Sequence, residues 1–109
     1  MKVKDLSDKL GYECLVSESN NEEISEGYCS DLLSDVMGNA PEDSVLITIQ
    51  AHKNTVAVAS LAGIKAILIC NNRPAPEGML SSATDEEISV FRTKDNQFTA
   101  SWKVHAHLA

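Results

Sequence analysis

The chain reads as an α/β domain on a layered, largely parallel sheet, and three observations carry that prediction. Residues 45–50 (VLITIQ) and 66–70 (AILIC) are short runs of β-branched and aliphatic residues without alternation, as expected of strands buried on both faces. Between them, residues 54–62 (NTVAVASLA) are apolar on nearly every face, which predicts a helix packed hard against that sheet. From Val45 onward the segments alternate as β-α-β-α-β-α, and right-handed crossovers make those three strands parallel neighbours.

The remaining elements follow from spacing and punctuation. Val3, Leu6 and Leu10 lie at helical spacing with Gly11 as a stop, so a short amphipathic helix opens the chain. Residues 13–16 form a strand, the acidic stretch 17–23 a loop, and residues 24–29 a weaker strand, on an edge, with Gly27 at a bulge or close approach. Ser30 is placed to cap a helix that turns Leu32, Leu33 and Val36 inward, with Asp31 and Asp35 sharing the opposite face, until residues 38–41 (GNAP) end it. After the second core strand comes a Pro-containing loop over 71–78, a helix over 79–87 and a third core strand over 88–93. Thr93 or Asp95 caps a last helix over 96–108, buried through Phe98, Trp102 and Val104. The N-terminal strands extend the sheet in mixed orientation.

At 109 residues the whole chain, 1–109, is expected to be one domain. That length suffices for a core without disulfides or a structural metal. Five aromatic residues among 43% hydrophobic ones leave that core to Val, Ile, Leu and Ala. The formal net charge of −7, with nine Lys and Arg scattered along the chain, disfavours nucleic-acid phosphate and anionic lipid as partners. Cys14, Cys29 and Cys70 form no CxxC pair, and an odd count without metal spacing fits a reduced intracellular protein. Cys29 and Cys70 fall on strands and are expected to be packed and inert, with Cys14 read the same way. Residues 1–10 lack the apolar centre of a signal peptide and no segment is long enough for a membrane span, so a cytoplasmic location is expected.

Several chemistries are excluded by motif. The chain lacks GxxxxGK followed by Ser or Thr, a strand-linked GxGxxG, GxSxG, HExxH and an EF-hand loop, and no cofactor is expected. What remains is the set of residues at the carboxyl ends of the predicted parallel strands, where open α/β sheets place ligands. These are Gln50, His52, Lys53 and Asn54 after the first, Asn71, Asn72 and Arg73 after the second, and Thr93, Lys94 and Asp95 after the third. Amide and cationic donors ahead of helix N-termini suit a small anion; the alternative is solvated loops with capping residues. His52 is the best single candidate for a titrating or ligand-contacting group, against a plain surface histidine. His105 and His107 sit two apart on a helix and cannot chelate one metal together, and the Asp31/Asp35 pair reads as a solvated face rather than a cation site. A small enzyme would need His52 within hydrogen-bond reach of Asp31 or Asp35.

Residues 27–37 (GYCSDLLSDVM), taken with residues 46–60 (LITIQAHKNTVAVAS), resemble a stand-alone DRTGG domain, a family similar to the N-terminal domain of HPr kinase/phosphorylase. The resemblance runs from Val3 to the last helix. It departs at the name-giving motif, where residues 22–27 (EEISEG) keep one glycine but lack the Asp-Arg and double-glycine run. It implies a layered α/β fold and a non-catalytic regulatory or accessory role, homodimeric, with no catalytic residues to carry over. Two functions stand side by side: a domain binding a small anionic, nucleotide-like ligand at the strand ends, and a protein-interaction module accessory to an iron-only hydrogenase or another redox enzyme complex. The second predicts an exposed apolar patch around Tyr28, Met37 or Met79.

Overall fold

Strand and helix follow each other in the order α1 (Asp5–Asp8), β1 (Glu13–Val16), β2 (Glu26–Cys29), α2 (Leu33–Asn39), β3 (Ser44–Thr48), α3 (Lys53–Ala62), β4 (Ala66–Ile69), α4 (Glu77–Asp85), β5 (Ser89–Arg92) and α5 (Gln97–Leu108). The computed structural model describes residues 1–17 and 22–108, so most of the loop expected over 17–23 lies outside the described residues. One five-stranded sheet has the order β1-β5-β4-β3-β2. Strands β2, β3, β4 and β5 are mutually parallel, and β1 is antiparallel to β5 on the far edge. The sheet is therefore mixed, with one antiparallel strand.

The unpatterned apolar runs have the physical meaning expected of them. Every residue of β3 and β4 is buried, and their side chains alternate between two separate cores. Val45, Ile47, Ala66, Leu68, Cys70 and Phe91 face one side with Val3, Leu6, Ala100 and Val104, from α1, α5 and the residues before α1. Leu46, Ile67, Ile69 and Val90 face the other with Val36, Val56, Ala59, Met79 and Ala83, from α2, α3 and α4. Helices thus cover both faces. Burying one Val, Leu or Ile completely is worth about 1.5–3 kcal/mol, so the central strands anchor both layers.

Four local expectations are corrected. The first concerns α2, which starts at Leu33: Leu32, 64% exposed, stands at its N-cap without a side-chain hydrogen bond. Ser30 instead accepts from the Leu32 amide one turn earlier, because Asp31 is drawn toward the end of β3 and out of helical register. The second concerns α5. Asn96 Oδ1 accepts the Thr99 amide and caps this helix, while Thr93 Oγ1 accepts from Asp95 N within the loop. The same helix buries Ala100 and Val104 and leaves Phe98 and Trp102 82% and 57% exposed. Its small face wins because it lies close over β2, where a Cβ at Gly27 would meet Val104 and Leu108 at 3.9 and 3.8 Å.

Third, β2 runs in regular register against β3, so Gly27 marks no bulge; the irregular register lies in β1, between Cys14 and Val16. Fourth, Cys29 and Cys14 are exposed, since each sits on an outer strand, and only Cys70 is packed. Elements are also displaced by a residue or two from their expected bounds, α4 by two toward the N-terminus.

Candidate functional site

All ten candidate residues lie just beyond the carboxyl ends of β3, β4 and β5, but the fold sorts them into separate places. Asn72, Thr93 and Lys94 line an open cleft of about 320 Å³, together with Arg92, Asp95 and Lys103. Its remaining wall is residues 10–13, the turn that leads into β1. Gln50, His52, Lys53 and Asn54 stand at the start of α3 and, like Asn71 and Arg73, are not part of this lining.

The cleft owes its shape to a tight turn. Asn71 and Asn72 have φ of 58° and 52°, and the Arg73 amide donates to Cys70 O at 3.3 Å. Two successive left-handed residues inside a four-residue turn are what a primed turn needs, and asparagine tolerates that conformation better than most side chains. The turn is stitched to the loop after β5: Asn71 N donates to Asp95 O at 2.9 Å and Asn72 N to Thr93 O at 2.8 Å. Loops following β4 and β5 are thereby held as one surface.

Charge inside the cleft is arranged in pairs. Arg92 donates twice to Glu13 Oε1, at 3.0 and 2.9 Å, across the β1–β5 register. Lys103 Nζ lies 3.0 Å from Asp95 Oδ2, which also accepts from the Tyr12 hydroxyl at 3.4 Å. Burial, followed by the nearby Asp95 carboxylate, raises the Tyr12 phenol above its ordinary range, so the hydroxyl stays a donor. Lys94 is exposed at the rim. Three of the chain's nine Lys and Arg therefore meet in one cleft, against two carboxylates, in a chain whose net charge is −7.

His52 has a different place. It is the N-cap of α3, where its Nδ1 accepts the Asn54 amide at 3.0 Å, and Thr55 Oγ1 donates to Gln50 O at 2.8 Å. The pairing an enzyme would need is not made among the described residues. Asp31 Oδ1 accepts from Thr48 Oγ1, Ile49 N and Gln97 Nε2 at 2.9, 2.9 and 3.0 Å, while Asp35 accepts from Tyr28 and Asn39. Hydrogen bonds from Tyr28 first, then Ser30 and Asn39, hold the Asp35 carboxyl below its usual range. Asp31 is thus a tie between β3, α5 and the loop before α2, a role that sequence spacing alone hid. Among the described residues no three His, Cys, Asp or Glu side chains gather as a metal set, and no helix is long and apolar enough to cross a membrane.

Of Tyr28, Met37 and Met79, any of which was expected at an exposed apolar patch, only Met37 is exposed. Met79 is fully buried, because α4 turns it into the core, and the half-buried Tyr28 is engaged by Asp35 at 2.8 Å. The exposed large apolar side chains among the described residues are Leu32, Met37, Leu61, Phe98 and Trp102.

No protein-family model matches the chain, and no curated protein matches it. In three dimensions it is similar to the crystal structure of the CBS and DRTGG domains from the regulatory region of Clostridium perfringens pyrophosphatase, complexed with the activator diadenosine tetraphosphate. The TM-score is 0.76 at 15% sequence identity, over 92% of this chain and 44% of that one. This chain thus spans less than half the length of that structure. The likeness accords with the DRTGG half of the sequence resemblance and does not bear on its HPr kinase half. At this identity the likeness is one of fold: the chain has the α/β fold found within a CBS and DRTGG regulatory region.

Proposed function

We propose that this chain is a DRTGG-like regulatory or accessory domain, without catalysis of its own and homodimeric, that binds a small anionic, nucleotide-like ligand at the strand carboxyl ends. The observation that carries this reading is the convergence of Arg92, Lys94 and Lys103 on one cleft of an otherwise acidic chain. A low-dielectric wall lined by one excess sign of charge focuses the field there and raises the local concentration of anions. Phosphate oxygens would accept from Lys94 and from Lys103, the latter leaving Asp95, while the side-chain amide of Asn72 supplies a neutral donor. The volume, about 320 Å³, is at the small end of ligand sites, enough for a phosphate-bearing group rather than a whole dinucleotide. The structural neighbour's regulatory region is complexed with a polyphosphate dinucleotide, which agrees in chemical class.

Thermal unfolding with ATP, diadenosine tetraphosphate and acetyl phosphate tests the proposal. A ligand at 100 times its Kd adds about 2.7 kcal/mol, and a rise of at least about 2 °C is expected for one of them. Lys94→Ala combined with Lys103→Ala should abolish it. No shift with any of the three at millimolar concentration overturns the proposal.

A further inference from the structure

We infer that two copies of this chain join through the free edge of β2, antiparallel, so that their sheets run on as one; this rests on the homodimeric reading above and names its surface. The two outer strands are not equivalent. On β1 the register breaks between Cys14 and Val16 and Glu13 holds Arg92, both devices that blunt an edge. On β2 all four residues keep regular register with β3, and among the described residues the opposite side of the strand has no neighbouring strand.

Which groups face outward follows from the ladder. Ser30 N donates inward to Ile47 O, so by strand alternation Gly27 and Cys29 direct their N–H and C=O away from the sheet. Antiparallel pairing that matches outward residues over the longest stretch sets Gly27 opposite the partner's Cys29, with Tyr28 on the two-fold axis. Each Glu26 then lies at an outer end opposite the partner's Ser30, so the junction brings no two carboxylates of β2 together.

Helix α5 makes the second copy the fitting occupant. It packs over β2 and β3, and neighbouring strands are about 4.8 Å apart. A two-fold at the β2 edge therefore puts the two α5 helices on the order of 10 Å apart, the packing distance of helices. Phe98 leans to the β2 side of α5, as the helical positions of Ser101, His105 and Leu108 along β2 require, and comes against its mate. A covered aromatic side chain is worth about 150–250 Å², so Phe98 from both copies supplies up to about half of the roughly 1,000 Å² that a specific contact needs. On the other face the crossover helix α2 brings exposed Met37 and, at its start, Leu32. An extended peptide would cover the edge and leave both helices bare.

Two measurements decide it. Native mass spectrometry and sedimentation at 10–50 µM, a range chosen to bracket roughly micromolar affinity, should show a dimer, and Phe98→Glu should weaken it at least about tenfold without unfolding a chain in which that ring is solvent-exposed. A Gly27→Cys variant in a Cys14→Ser background fixes the register. The new Cβ meets only ordinary contacts of 3.8 Å and beyond. Its Cα would lie about 5.5 Å from that of the partner's Cys29, within disulfide range. Mild oxidation should give a covalent dimer linked 27 to 29, lost on Cys29→Ser. A wild-type monomer throughout that range overturns the homodimeric reading along with the interface. A dimer that survives Phe98→Glu and yields no 27–29 cross-link overturns the interface alone.

Discussion

Asp31 shows how much of this fold is tied by one oxygen. Its Oδ1 accepts from the buried Thr48 hydroxyl, the Ile49 amide and Gln97, and so joins the end of β3 to the start of α5. Removing it leaves three partly buried donors without that acceptor, each costing about 1–3 kcal/mol where water cannot replace it. Asp31→Ala should therefore lower unfolding stability by about 2–4 kcal/mol in urea denaturation, on the same scale of costs. Asp31→Asn, which keeps an acceptor oxygen, should recover part of it. A loss below about 0.5 kcal/mol, the size of an ordinary surface change, would contradict this role.

Cys70 carries a pH prediction at the same scale. Burial, then the neighbouring Cys29 and the Asp95 and Asp31 carboxylates, push its thiol up from 9.0 to about 12. The folded group holds its proton where the unfolded one has lost it. Its contribution to stability is present below the unfolded value near 9.0 and is lost as pH rises toward about 12. Tyr12, raised in the same direction, adds to that loss. Denaturation midpoints should fall steadily between pH 9 and 11, and Cys70→Ala should flatten the slope. At neutral pH a maleimide should label Cys14 and Cys29 in the folded chain and spare Cys70; labelling of all three at one rate would contradict the packing.

At the scale of elements, the helix ends give paired expectations of opposite sign. Gly63 closes α3 at φ 76°, and a Cβ there would come 3.0 Å from Glu42 Cγ. Gly63→Ala should cost about 1–2 kcal/mol through the left-handed conformation alone. Gly38, inside α2 with nothing within 4 Å of such a Cβ, should gain up to about 1 kcal/mol on change to Ala. Thermal unfolding of the two variants checks both signs.

The same scale explains what could be read from sequence. Strands β3 and β4 were legible because burial on both faces leaves unbroken aliphatic runs. Helix α5 was legible in extent but not in phase. Its aromatic pair Phe98 and Trp102 and its small pair Ala100 and Val104 are both spaced i,i+4, and only the close approach of the helix to β2 selects the small pair. The start of α2 was misplaced because the Asp31 tie is tertiary. In the site, Asn72, Thr93 and Lys94 followed from the strand-end rule. Arg92, Lys103 and Tyr12 did not, since the cleft is closed by the antiparallel register of β1 and by a turn of α5, which no local pattern encodes.

At the scale of the whole molecule, the proposed ligand site sets a cleft with an excess of cations in an acidic chain. A chain at −7 repels anions in general, and the cleft gathers three cations against two carboxylates, which under the proposal offsets that repulsion locally. Lys103 is paired with Asp95 at the cleft, so a ligand proposed there would exchange for that contact without refolding. Binding should then weaken with salt, because the cleft lies at the surface. It should also leave the fold intact in charge-reversal variants of exposed Lys94. The most direct test is a calorimetric titration of ATP and acetyl phosphate into wild type and Lys94→Glu at low and high salt. The account predicts saturable binding of at least one of the two by wild type, weakened at least about tenfold, or 1.4 kcal/mol, by Lys94→Glu and reduced by salt. Binding that ignores both the substitution and the salt, or no binding by wild type, would contradict it.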